Sequence, residues 1–229
     1  MNTKISIILF LFITITLGFF SSCRSESDEL PQIVDNGFLQ PDSRITNFIL
    51  RAATNDGALD DSLDKSSCFT VKFPYTITVT GVQTTLASIV ELRTFEASYN
   101  PSNPVTYSFP ITLVYGDFSE VLVNDNTQFV QLVNTCNDTD ENIACIDFEY
   151  PFSASGFDSQ VELIRTINFE KDLDLYQFID DLKRDDLITI DFPITVNISD
   201  GAVLRVSSIG ELENTFDDVL RNRCDNVSN

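Results

Sequence analysis

The chain has 229 residues, with 35 acidic against 14 basic side chains and a formal charge of −21. That balance repels phosphate backbones and argues against nucleic acid as a partner. Histidine is absent, which excludes a Ser-His-Asp triad, a Cys-His dyad and a His-ligated zinc site within the chain. With 43% apolar residues and 19 phenylalanines the chain can still build a core, so the acidity belongs to a surface rather than to disorder.

Residues 1–22 read as a signal peptide. Lys4 supplies a positive start, Ile5 to Phe20 is apolar apart from one serine, two threonines and a glycine, and Ser21 and Ser22 lead into Cys23. The run is short for a bilayer span and its flanks suit export. Ser-Ser-Cys after such a run resembles the lipobox of bacterial lipoproteins, with Phe20 in place of the usual leucine at its first position. The resemblance implies cleavage before Cys23, a diacylglyceryl thioether on its sulfur, and an acylated amine. Two or three acyl chains hold a protein stably on a membrane where one does not. RSESDEL behind Cys23 resembles the surface-export signal of Bacteroidota lipoproteins, which implies the outer membrane and an outward face. Losing Lys4 with the leader takes the formal charge of the mature chain to −22.

Residues 23–66 read as a lipidated acidic tether broken by Pro31, Gly37 and Pro41, carrying one short helix from Arg44 to Ala53 with Ser43 as N-cap. Asp61-Ser62-Leu63 resembles the short O-glycosylation motif of Bacteroidota. Asp56, Asp60, Asp61 and Asp64 form a weak cation-ligand cluster within the tether.

From Cys68 the pattern alternates strictly. Phe69, Val71, Phe73, Tyr75, Ile77 and Val79 are apolar, with polar residues or proline between them, as in a strand buried on one face. The same parity returns at Tyr107 to Leu113, Ile146 to Phe152 and Ile188 to Ile198. Prolines 74, 110, 151 and 193 all fall on the outward phase. Lacking an N–H, proline belongs on an edge or at a bulge of such a strand. Thr80-Gly81, Gly116-Asp117, Ser155-Gly156 and Asp200-Gly201 read as turns, followed by a second strand such as Glu120 to Val123 or Ala202 to Val206. Helical stripes then follow: Ile89, Leu92 and Phe95 behind Ser88; Phe129, Leu132, Val133 and Cys136 behind Asn124 or Asp125; Leu175, Phe178, Ile179 and Leu182; and Leu212, Phe216, Val219 and Leu220.

The expected fold is therefore α+β: a tandem duplication of a β-β-α-β-β-α unit, with antiparallel sheets and helices on one face. The first domain spans 67–137 and the second 144–225. Four cysteines permit three pairings. Cys68 and Cys145 each stand six residues before a proline, and Cys136 and Cys224 each end a helical stripe, so repeat symmetry favours Cys68–Cys136 with Cys145–Cys224. Four free thiols are the alternative. The FPIT pattern resembles the FPIT-repeat lipoproteins of flavobacteria over most of the chain, a resemblance that implies an envelope address and supplies no activity.

Asp138, Asp140 and Glu141, between the halves, offer clustered oxygens of the kind calcium takes, in a spacing unlike an EF-hand. Asp180 and Asp181 invite an acid–base reading, but they fall on the polar side of a helix stripe and read better as a solvated face. Thr76, Thr78, Thr189 and Thr195 would lie on an outward sheet face, a rigid polar surface suited to binding; threonine also simply suits a solvated strand. The expected function is a non-enzymatic binding or adhesion lipoprotein, held on the membrane by its lipid, facing an extracellular or envelope partner and needing no cofactor beyond calcium. A periplasm-facing structural lipoprotein is the second reading, and an enzyme using carboxylates alone the third.

Overall fold

The computed structural model describes residues 37–136, 142–158 and 163–224. After helix α1 (Arg44–Ala52), a 3-10 turn (Gly57–Asp60) and the one-turn helix α2 (Asp61–Asp64) come strands β1 (Phe69–Val71), β2 (Tyr75–Val79) and β3 (Val82–Leu86), then helix α3 (Ile89–Glu96). Strands β4 (Val105–Tyr107), β5 (Ile111–Tyr115) and β6 (Glu120–Val123) precede α4 (Asn126–Thr135). Strands β7 (Ile146–Phe148), β8 (Phe152–Asp158) and β9 (Leu163–Phe169) precede α5 (Asp172–Asp180), and β10 (Leu187–Ile190), β11 (Ile194–Ile198) and β12 (Val203–Val206) precede α6 (Ile209–Asn222). The α+β class is as expected.

The prolines do something other than mark an edge or a bulge. Each long alternating segment breaks at its proline into two strands that join different sheets. The four sheets run β1-β5-β6, β3-β2-β4, β10-β8-β9 and β12-β11-β7, with every pairing antiparallel. So β1 leaves for the sheet of β5 while β4 comes back to the sheet of β2, and β7 and β10 exchange in the same way. The register is common to all four: the third residue before one proline pairs with the third residue after its partner proline. Val71 faces Leu113, Tyr107 faces Ile77, Phe148 faces Val196 and Ile190 faces Ala154. All eight are buried. A residue without an N–H cannot continue a ladder, so the chain changes sheet where its hydrogen bonding has to lapse. The Phe73–Pro74, Phe109–Pro110, Tyr150–Pro151 and Phe192–Pro193 peptide bonds are cis.

Two hydrophobic cores result. One gathers Phe69, Ile77, Leu86, Leu113 and Val123 from strands with Leu92 of α3 and Phe129 of α4. The other gathers Phe148, Ala154, Val196 and Val206 with Leu175 and Ile179 of α5 and Leu212, Phe216 and Val219 of α6. The N-caps follow the sequence reading at Ser43, Ser88 and Asp125, whose side chains accept from Thr46, Glu91 and Gln128 amides, and Ser208 does the same for α6. Thr80 and Gly81, both at positive φ, make the two-residue turn between β2 and β3. Ser155-Gly156 is not a turn: β8 runs through it, because Ser155 and Gly156 pair on both sides, with β9 and with β10.

The tether ends earlier than expected. Ile45, Phe48, Ile49 and Ala52 of α1 are buried in the second core, Phe48 stacked on Phe216 with centroids 5.3 Å apart. Leu39 donates its amide to Ile188 O at 2.8 Å. Leu63 of α2 is buried in the first core. The amphipathic spacing in 44–53 was a packing signal, and polarity around it hid that. The second core therefore draws on chain from both before and after the first.

Candidate functional site

Both disulfides expected from the sequence are present, Cys68–Cys136 and Cys145–Cys224, with Cα atoms 5.9 and 5.5 Å apart. The first of them forms part of the floor of a cavity of about 560 Å³, inside the range that small ligands occupy. Helix α1 contributes Asn47, Leu50 and Arg51, and the segment behind it contributes Thr54, Asn55 and Gly57. Opposite stand Tyr115 at the end of β5 and the Gly116-Asp117 turn, Leu132 and Thr135 of α4, Asn142, and Tyr176 of α5.

Backbone hydrogen bonds hold these walls. Asn55 donates its amide to Gly116 O at 3.0 Å and its side-chain nitrogen to Val114 O and Thr70 Oγ1 at 3.0 and 3.1 Å. Ile143 donates to Arg51 O at 3.1 Å. The Thr54 hydroxyl lies 2.9 Å from both Arg51 O and Asn142 Oδ1. Tyr115 meets Phe69 edge-on, and Tyr176 meets Phe118 edge-on, each at 5.5 Å. Asp117 is held below the usual carboxylate range by the hydroxyl and amide of Ser119, and it is the one carboxylate among the described lining residues. The surface offers amide and hydroxyl groups, one guanidinium (Arg51) and one carboxylate (Asp117) beside two partly buried rings. Such a surface can orient a polar ligand that also has an apolar face.

A second polar group lies in the first core. Asp60 and Asp64, read in the sequence as part of a weak cation-ligand cluster in the tether, are 1% and 4% exposed. Asp60 Oδ2 accepts from Val71 N at 3.1 Å and Asp64 Oδ1 from Ser66 N at 3.0 Å. Desolvation by burial pushes Asp60 up to about 7, with the charges of Asp61 and Glu96 adding to it. Burial pushes Asp64 up to about 9, with Asp60 the largest charge acting on it. Tyr75 and Tyr107, also buried, are raised by desolvation and by these same carboxylates. The second half treats a comparable tyrosine differently: Tyr150 donates to Asp172 Oδ1 at 2.8 Å.

The other sequence candidates separate. Thr76 and Thr78 sit on β2, Thr189 on β10 and Thr195 on β11, so three sheets share them and no one sheet face collects them. Thr76 is engaged with Thr85 across the hairpin at 2.9 Å. Asp180 and Asp181 are exposed, as a solvated helix end requires. Asp56 accepts from Ala58 N at 3.0 Å in a local turn. Among the described residues no three His, Cys, Asp or Glu side chains group to hold a metal ion. Cys23, Asp138, Asp140 and Glu141 lie outside the described residues. Among the described residues no helix is long and apolar enough to cross a membrane.

Asn47, Asn55, Tyr115 and Tyr176 carried no sequence signal, since they come from four separate segments and share no spacing. The burial of Asp60 and Asp64 did have one: they interleave with Leu59 and Leu63 at the same four-residue interval, placing both pairs on neighbouring sides of one short helical stretch. No family model, curated protein or solved structure matches the chain.

Proposed function

We propose that the chain is an exported lipoprotein, anchored through Cys23 to the outer membrane with its body facing the medium, and that it acts there as a non-enzymatic binding protein. The observation that carries the binding half of this reading is the cleft of about 560 Å³ bounded by α1, the Gly116-Asp117 turn and α5. Its amide and hydroxyl groups and flanking tyrosines, with the opposed charges of Arg51 and Asp117 leaving the lining formally neutral, favour an uncharged polyhydroxyl ligand, a saccharide by class, over a phosphate or another anion. The strongly acidic surface adds to that preference by repelling anions.

The common register about the four prolines supports a tandem duplication, now as two β-β-β-α pairs that exchange their leading strands. The domains proposed on that basis are 57–136 for the first, and 39–53 with 143–224 for the second, following the two cores.

Nuclear magnetic resonance titration with neutral mono- and disaccharides, beside sugar phosphates as the charged comparison, tests the cleft. Tyr176→Ala should weaken any neutral sugar that binds about tenfold, the loss of one stacking ring at roughly 1.4 kcal/mol. Binding that ignores Tyr176→Ala and Asn47→Ala would remove the cleft as the seat. For the address, Cys23→Ser should abolish acyl labelling and release the protein from membranes, since serine cannot accept the thioether. Protease treatment of intact cells separates the surface from the periplasmic reading, because a periplasmic protein survives until lysis.

A further inference from the structure

Six side-chain oxygens in and around the first core are buried without completing their hydrogen bonds. Asp60 Oδ1, Asp61 Oδ1 and Asp64 Oδ2 are sealed from solvent and unpartnered, as are Ser66 Oγ, Tyr75 OH and Tyr107 OH. Orphaned buried polar atoms are few in native proteins, and each carries a cost. Neither Asp60 nor Asp64 is ion-paired among the described residues. The groups facing them are known from every side. On their own segment, Asp61 accepts from the Ser67 hydroxyl at 2.7 Å, and Lys65 is turned out, donating to Ser62 O at 2.6 Å. Tyr75 comes from β2 and Tyr107 from β4, Tyr99 spends its hydroxyl on Asn103 O at 2.7 Å, and Glu96 of α3 is held by Arg93 at 2.8 Å. The lysine being exposed and the arginine engaged with Glu96, two carboxylates buried in the same core cannot both hold their charge. A retained proton removes one of the two charges and makes one carboxylate oxygen a donor.

We propose that the buried Asp60–Asp64 pair retains a proton that seats residues 57–66 on the first core, and that its loss in alkaline solution releases this segment and opens the cleft wall to which Gly57 and Ser67 belong. Asp60 grips β1 through the Val71 amide, and Leu63 between the two acids plugs the core, so the segment is seated only while the acids tolerate burial. The inference is independent of what the cleft binds.

The sign is fixed by linkage. Both folded values lie above the unfolded value of 3.8, so the folded state holds protons that the unfolded state has released. Stability is full below that value and falls as pH rises. Above about pH 7 the fall rests on the proton the pair still holds, at roughly tenfold in the folding equilibrium per pH unit until that proton is lost. That window is unusually clean: the chain has no histidine, and the four cysteines of the body are in disulfides.

The test is urea denaturation of the whole soluble chain between pH 7 and 9, for wild type and Asp64→Asn. Asparagine keeps an acceptor for Ser66 and carries no charge. The wild type should lose about a hundredfold in its folding equilibrium over the two units, and Asp64→Asn should lose almost none. Cleavage after Lys65 by a lysine-specific protease, relative to the variant, should accelerate in the wild type over the same range. Parallel pH profiles for the two proteins would overturn the proposal. Should Asp64→Asn fail to fold, infrared spectroscopy of the wild type at pH 7 decides: a protonated-carboxyl band that vanishes by pH 10 supports the retained proton. No such band, together with stabilisation by calcium chloride or sodium chloride, would overturn it in favour of a bound cation.

Discussion

A methyl group at residue 57 has nowhere to go. A Cβ there would lie 2.0 Å from Ser67 O and 2.8 Å from Ser67 C, both backbone atoms that no rotamer change can move aside. Gly116, on the opposite wall of the same cleft, meets nothing nearer than Asn55 O at 3.9 Å. Gly57→Ala should therefore cost ~3 kcal/mol, the upper end for forced overpacking, while Gly116→Ala stays within about 0.5 kcal/mol. Urea midpoints of the two variants check this, and equal midpoints would mean that residues 57 and 67 are not packed as described. Nothing in the sequence announced Gly57, because a glycine required by close approach looks like any glycine in a polar stretch. Proline was more legible: its recurrence at one phase identified one structural position four times over. What that position does was hidden, since alternation continues unbroken across Phe73-Pro74-Tyr75 whether the chain stays in one sheet or enters the next.

At the level of elements, sequence reasoning succeeded wherever a period and a cap agreed. Helices behind Ser43, Ser88 and Asp125 begin where a short oxygen acceptor precedes an apolar stripe. It failed where partner choice decided. Strand β8 has seven residues and passes through Ser155-Gly156, because Ile188 of β10 packs where a side chain would otherwise stand: a Cβ on Gly156 would lie 2.7 Å from Ile188 Cδ1. Glycine there signals close approach rather than a turn. The disulfides are the element-scale staples, each fixing the residue just ahead of a leading strand to the end of the last helix of its half. Cys68 and Cys136 are 68 residues apart, and closing a loop of that length in the unfolded chain is worth about 4 kcal/mol. A Cys68→Ser, Cys136→Ser double variant should lose about that much, measured by urea denaturation with Cys145–Cys224 intact. A loss below about 1 kcal/mol would show that the helix and strand hold one another without the link.

For the whole molecule, the telling feature is that chain order and core membership disagree. Residues 39–53 precede the first core in sequence and belong to the second, and the short stretch after Ala53 crosses to the first. Composition made this stretch look like a tether, because Ser, Asp, Arg and Asn on its outer side dilute the apolar stripe of Ile45, Phe48, Ile49 and Ala52. A two-core molecule of this kind need not unfold in one step. Phe48 is buried against Phe216, so Phe48→Ala should remove about 3–5 kcal/mol from the second core. Leu92 is fully buried in the first core, and Leu92→Ala should remove about 2–5 kcal/mol there. If the cores unfold separately, calorimetry of the wild type resolves two transitions, with Phe48→Ala lowering one and Leu92→Ala the other. Hydrogen exchange then assigns them: Phe48→Ala should speed exchange in α6 and β11 and leave α4 and β5 as they were. If both variants lower a single transition by the same amount, the short crossing and the cleft between the walls couple the cores into one cooperative unit. In that event a ligand seated in the cleft would stabilise both halves together.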